Sequence, residues 1–185
     1  IPTGRLLDAA DASIPMGDSL QPVKAEIKMV AADYNFITTY GIAMKSGRNF
    51  SRDYATDSTA FIINEAAVAA IGWKSAEEAV GKAFRYGEVN GRIVGVTKDM
   101  HFESLHETIT PLVFFLLNTD NGRYNQLSIK ISGTNTRDAI AAIQSTWKKF
   151  LPNAAFDYVF LQENFDQLYR AETVQGQLFT LFASI

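Results

Sequence analysis

The chain has 185 residues, 47% hydrophobic and 20% charged, with a formal net charge of -3. That is ordinary globular composition, so default disorder is excluded, and no block of five like charges offers the clustered Lys and Arg of a nucleic-acid footprint. With no cysteine there is no disulfide framework, thiolate metal site or cysteine nucleophile. No stretch approaches the ~20 apolar residues of a membrane-spanning helix.

Ile1 to Pro22 is weakly patterned and punctuated by Pro2, Gly4, Pro15, Gly17 and Pro22, so it reads as an extended lead-in with at most a short helical turn. Val23 to Ala31 alternates apolar and polar residues, the mark of a half-buried strand. Asp33 is placed to cap a short helix, Tyr34 to Tyr40, closed by Gly41. A brief strand, Ile42 to Lys45, leads into a turn at Ser46-Gly47-Arg48. Ala60 to Ile63 is an apolar strand, followed by Asn64 as N-cap of a helix that ends at Gly72. Ser75 and Glu78 form an S-x-x-E capping box for a second short helix ending at Gly81.

Lys82 to Tyr86 and Arg92 to Thr97 read as a hairpin turned at Asn90-Gly91, where positive φ suits the Asn-Gly pair. On that basis Gly91→Val is expected to cost roughly 1 kcal/mol or more. Pro111 to Leu117 is a strand, Asp120-Asn121-Gly122 a turn, and Gln126 to Ser132 a further alternating strand. Thr136 to Phe150 carries the clearest helical stripe, Ile140, Ile143, Trp147 and Phe150, with Asp138 in its first turn and Lys148-Lys149 in its last. Phe156 to Leu161 reads as a strand and Gln162 onward as a long final helix. The fold class is α+β.

The best candidate for chemistry is the stretch Arg92 to His106, which leaves its strand at Lys98-Asp99 and holds both histidines, His101 and His106, with Asp99, Glu103 and Glu107. Histidines five apart do not share a helix face, so a metal site there requires a folded loop. The bland alternative has Asp99 capping the loop backbone while Phe102 and Leu105 anchor it. Gly87, Gly91 and Gly95 lie on a hairpin, so they form neither a Walker loop nor a dinucleotide fingerprint, and no G-x-S-x-G elbow occurs. No cofactor is called for. The chain opens on Ile1 and crowds Leu178, Phe179, Leu181, Phe182 and Ile185 at its end. It therefore reads as an excised fragment, trimmed ahead of a membrane helix or ending in an amphipathic helix that packs on the domain.

An ordered set of segments carries a resemblance: VAADYNFITTYGIAMKSGRNFS, FIINEAAVAAIGW, AVGKAF, GRIVGVTKDMHFESLH with its following PLVFF, and NFDQLYRAETVQGQLFTLFA. Together they cover most of Val30 to Ala183, and the chain resembles the extracytoplasmic domain of MacB/FtsX-type ABC transporter permeases in the version common in Bacteroidetes. Ile1 to Met29 matches less distinctly. The resemblance implies two lobes: a β-rich inserted lobe at 23–99 and a membrane-proximal lobe of β-α-β units at 100–161. Residues 1–22 would be a lead-in belonging to a truncated part of the second lobe, and 162–185 a stem helix leading toward a transmembrane span. It implies a non-catalytic domain on the periplasmic side of the inner membrane that passes ATP-driven motion to a partner protein or substrate. Efflux, lipoprotein release and control of cell-wall hydrolases are the family's uses. The implied partners are a separate cytoplasmic ATPase, a second permease subunit in a homodimer or heterodimer, and a periplasmic or outer-membrane protein. Lys98, Asp99, Met100, His101 and Phe102 are then the candidate hinge between lobes. The alternatives are a small metal-dependent hydrolase built on Asp99, His101 and His106, and a periplasmic ligand-binding module.

Overall fold

The computed structural model describes residues 9–100, 109–117 and 127–161. The fold is α+β, with eight strands in a mixed sheet and four short to medium α-helices among the described residues. The strands are β1 (Ala12–Met16), β2 (Ser19–Pro22), β3 (Lys28–Ala32), β4 (Met44–Gly47), β5 (Phe61–Asn64), β6 (Ala83–Tyr86), β7 (Val89–Thr97) and β8 (Leu112–Leu116). The helices are α1 (Phe36–Thr39), α2 (Glu65–Ile71), α3 (Ala76–Ala79) and α4 (Thr136–Phe150). The order across the sheet is β2-β1-β6-β7-β5-β8-β3, with β4 also paired to β7. The β3/β8 and β5/β7 pairs are parallel; the rest are antiparallel.

The central strands are the ones whose sequences run apolar without alternation. All four residues of β5, FIIN, are buried, as are four of the five in β8, LVFFL. A strand covered on both faces has no solvent side to make polar, so it loses the period of two. The core joins Phe61, Ile63, Phe84, Ile93, Val96 and Val113 to Ala67, Val68 and Ala79 on the short helices. Phe61 meets Phe84 edge-on at 5.4 Å between centroids, and each such buried ring contributes about 1.5–3 kcal/mol through burial. Tyr86 tethers the chain's start to this core. Its hydroxyl donates to the Ile27 carbonyl at 2.7 Å and accepts from the Ala10 N–H at 2.9 Å.

The local signals are obeyed where they are self-contained. Asn64 accepts from the Ala67 N–H, Gly72 closes α2 at φ 90°, and Ser75 accepts from the Glu78 N–H. The first helix is shorter than the pattern implies. Asp33 makes an Asx turn with the Asn35 N–H, and helical backbone begins only at Phe36.

Several expectations are corrected. The lead-in holds a hairpin, β1-β2, turned at Gly17-Asp18 with Gly17 at φ 61°. The strand expected from Val23 begins at Lys28, where its N–H meets the Pro111 carbonyl; Val23 instead donates to the Ala12 carbonyl. The β6-β7 hairpin turns at Gly87-Glu88, with Gly87 at φ 55° and Tyr86 opposite Val89. Gly91 lies inside β7 opposite Phe84 and is not among the positive-φ glycines, so the turn assigned to Asn90-Gly91 is three residues late. Beyond residue 100 the chain re-enters the same sheet at β8, which pairs with both β3 and β5.

By backbone contacts the chain divides after Ser128. The described part of the second unit contains α4 with the bounds its stripe predicts, yet none of its residues is fully buried. Residues 127–132 and 156–160 form no strand. Alternation prepares one face of a strand, but a strand also needs a neighbour for its N–H and C=O groups, and none of the described chain supplies one here. Within this unit Trp147 contacts Phe156 at 6.1 Å, and Tyr158 follows at 5.6 Å from Phe156. The turn at Asp120-Asn121-Gly122 and the final helix from Gln162 lie outside the described residues.

Candidate functional site

The segment that follows β7 is tied down on both sides by the first turn of α2. On its leading side, the Lys98 N–H donates to the Ala43 carbonyl at 2.8 Å. Asp99 Oδ1 accepts from the Ala66 N–H at 2.9 Å, and the Asp99 N–H donates to Glu65 Oε2 at 3.2 Å. Glu65 Oε1 in turn pairs with Lys45 Nζ at 3.3 Å. On its trailing side the wholly buried Asn64 acts as a clasp: Oδ1 accepts from the Leu112 N–H at 2.8 Å while Nδ2 donates to the Thr110 carbonyl at 3.0 Å. The same Oδ1 caps α2 through the Ala67 N–H. One side chain thus satisfies donors on α2 and β8 and an acceptor at Thr110.

The candidate hinge is therefore anchored where it leaves the sheet. Lys98 and Asp99 are held by α2 and the 42–43 segment, and Met100 is half-buried. His101, Phe102, Glu103, His106 and Glu107 lie outside the described residues. Among the described residues no group of three or more His, Asp or Glu is arranged to hold a metal ion. One oxygen of Asp99, the carboxylate of the proposed metal reading, is committed to helix capping.

Asn64→Ala removes the α2 cap and leaves the Leu112 N–H and Thr110 carbonyl unpaired in the interior. The expected loss is about 3 kcal/mol by urea denaturation. Asn64→Asp restores both accepting bonds but sets a carboxylate against the Thr110 carbonyl, so it should not recover stability. Beside the clasp, Thr97 Oγ1 is the one buried side-chain polar atom among the described residues without a hydrogen-bond partner. Thr97→Val keeps the shape and removes that orphan, so it should be neutral or stabilise by up to about 1 kcal/mol. A clear loss of stability would show that the hydroxyl has a partner in solution.

A second constellation, not singled out from the sequence, pins the strap from Arg48 to Ala60. Asp57 is wholly buried and receives both arms of the Arg48 guanidinium, at 2.6 and 2.7 Å, and the Ser51 N–H at 2.9 Å. Burial pushes the Asp57 carboxyl up. The Arg48 hydrogen bonds, the Ser51 N–H and the Arg48 charge together outweigh this and hold it below the usual carboxylate range. The two residues are nine apart in an unpatterned stretch, so no sequence period connects them. Arg48 also lies over the Tyr54 ring, 3.9 Å from its centroid, and Arg52 lies over Tyr34 at 4.7 Å.

No family model and no curated protein matches this chain. Among solved structures it is similar to the periplasmic region of MacB from Actinobacillus actinomycetemcomitans, at 14% identity and a TM-score of 0.47, over 82% of this chain and 76% of that one. It is similar to a domain assigned to a permease protein from Porphyromonas gingivalis, at 17% identity and a TM-score of 0.47, over 84% and 75% of the two chains. It is also similar to the extracellular domain of the noncanonic ABC-type transporter YknZ from Gram-positive bacteria, at 14% identity and a TM-score of 0.41, over 60% and 52%. No helix among the described residues is long and apolar enough to cross a membrane.

Proposed function

We propose that the chain is the extracytoplasmic domain of an ABC transporter permease, a non-catalytic part that carries ATP-driven motion across the membrane to a partner protein or substrate. One observation carries this: the segments that resemble such permeases occupy successive elements of one sheet, in order. VAADYNFITTYGIAMKSGRNFS supplies the end of β3, α1 and β4; FIINEAAVAAIGW supplies β5 and α2; AVGKAF and GRIVGVT supply the first half of β6 and most of β7; PLVFF supplies most of β8. On this reading ATP is hydrolysed by a separate cytoplasmic subunit, the permease works as a homodimer or heterodimer, and the domain faces the periplasm. Efflux, lipoprotein release and control of cell-wall hydrolases are its candidate outputs, with a periplasmic or outer-membrane protein as partner.

The joint is proposed at Lys98 to Phe102, with its fixed side at Asp99. The stem is proposed at 162–185. A rigid sheet anchored at such a joint transmits displacement, whereas a loosely bonded one absorbs it.

The full-length gene tests the reading directly. It should encode an apolar span of ~20 residues on each side of this chain and two more later. A gene product without such spans would falsify the proposal. The hydrolase alternative is tested separately by metal analysis of the purified chain and by His101→Ala and His106→Ala.

A further inference from the structure

Both ends of the β7-β8 crossover meet the first turn of α2, and they are held there by unlike means. At the trailing end the β5/β8 ladder stops at Ile63 and Val113, and the Asn64 side chain supplies the next rung to the Leu112 N–H. That end is also fixed to β3, where the Lys28 N–H donates to the Pro111 carbonyl at 2.9 Å. At the leading end Asp99 and Glu65 bond reciprocally. Asp99 Oδ1 accepts from the Ala66 N–H at 2.9 Å, and Glu65 Oε2 accepts from the Asp99 N–H at 3.2 Å. This is the reciprocity of a helix capping box, made by residues 34 apart in the chain.

The leading end is the one that can be released. None of residues 98–100 is fully buried, so their withdrawal breaks hydrogen bonds without opening the core. The bonds at the turn are also linked in series. Asn64 Oδ1 accepts from both the Ala67 N–H and the Leu112 N–H, so one oxygen serves the turn and the trailing end together. Glu65 joins the leading end to the same turn, and its second oxygen pairs with Lys45 on β4. A first turn has no intrahelical partners for its N–H groups and stays formed only while outside acceptors hold them. Losing the acceptor of Ala66 therefore weakens the neighbouring cap at Ala67.

We propose that the first turn of α2 is a latch between the two ends of the crossover. When Asp99 leaves its seat the turn frays, and the bonds from Asn64 to Ala67 and Leu112 loosen with it. Displacement of the 98–99 segment then reaches the start of β8 through α2, while the packed strands keep their places. A latch of this kind is a two-position element whose balance both ends of the crossover bias. It rests on the joint proposed above at Lys98 to Phe102 and supplies that joint with a defined second position.

Amide hydrogen exchange of the full chain, read residue by residue by NMR, tests the coupling. In the parent the Ala66, Ala67, Asp99 and Leu112 amides should share one opening free energy, lower than that of the Ile63 and Val96 amides in the sheet. Asp99→Ala should speed exchange about tenfold, the size of one lost helix cap, at Ala66 and equally at Ala67 and Leu112, to which Asp99 makes no bond. Asp99→Asn keeps an accepting oxygen and should stay near the parent rates. Glu65→Ala leaves Asp99 in the chain but removes the acceptor of its N–H, and it should speed the same amides. Acceleration confined to Ala66 in Asp99→Ala, or unrelated opening energies in the parent, would overturn the latch. Equal acceleration at Ile63 and Val96 would mean global unfolding and would overturn it too. The exchange pattern is independent of the membrane spans that test the permease reading, so the two fail separately.

Discussion

Gly91→Ala is expected to lower the unfolding free energy by about 3 kcal/mol, the upper end of what overpacking a filled interior costs. In a chain of 185 residues that corresponds to a fall in Tm of roughly 6–12 °C. The cause is not backbone conformation, since Gly91 has no positive φ. Its missing side chain leaves room for the Thr59 carbonyl, and an added Cβ would overlap that oxygen and sit 3.0 Å from Phe61 Cε2. Neither neighbour is a flexible side-chain tip. The 55–59 turn would have to lift off β7, uncovering the buried pair of Phe61 and Phe84. Gly17→Ala is the control. There φ is 61° but the space is open, so the cost should be only the ~1 kcal/mol of left-handed backbone. If the two variants prove equally stable, the close approach at Gly91 is wrong.

Asp57→Ala should cost about 2–3 kcal/mol, because it removes both Arg48 hydrogen bonds and leaves the Ser51 N–H unpaired, while the half-buried Arg48 guanidinium recovers part of its hydration. Replacing both partners by apolar residues, Arg48→Met with Asp57→Leu, should cost less than Asp57→Ala alone. Part of the single-variant loss is the penalty of leaving the half-buried Arg48 guanidinium unpaired rather than the net worth of the pair. The pH dependence has a definite sign. The folded-state carboxyl is held below its ordinary pKa, so the pair's contribution is complete above the ordinary carboxylate range. It is lost as pH falls through the lower, folded value. The gap between parent and Asp57→Ala in urea melts should therefore narrow in acid. A gap that widens as pH falls would contradict the assignment.

What could be read ahead of the structure was local. Asn64, Ser75 and Gly72 announce helix ends because a cap involves residues within four positions, and α4 shows its bounds through a stripe on its own surface. The β6-β7 hairpin was visible as two apolar runs, but its turn was misplaced. Asn90-Gly91 and Gly87-Glu88 are both acceptable turn chemistry, and only the pairing of Tyr86 with Val89 selects between them. The β1-β2 hairpin is hidden because Pro15 and Pro22 read as breakers, whereas Pro22 lies in the edge strand β2 and Pro15 lies beyond the two β1 residues that pair with β6. At the candidate site Asn64 was legible as a cap. Its bonds to Leu112 and Thr110, 48 and 46 residues away, were not.

By itself the amino-acid sequence determined the α+β class, the capped ends of α2 and the start of α3, the bounds of α4, the buried runs of β5 and β8, and the ordered segments on which the permease reading rests. Those properties are set by neighbours a few residues apart or by the apolarity of a single run. Only the tertiary structure decided that the 99/100 crossover is anchored by α2, that Gly91 is needed for space rather than for a turn, and that Arg48 and Asp57 lock a strap across β7. Each of these depends on which distant backbone atoms meet. A buried polar group or a missing Cβ acquires its meaning from the atom it faces, and the chain's order does not name that atom.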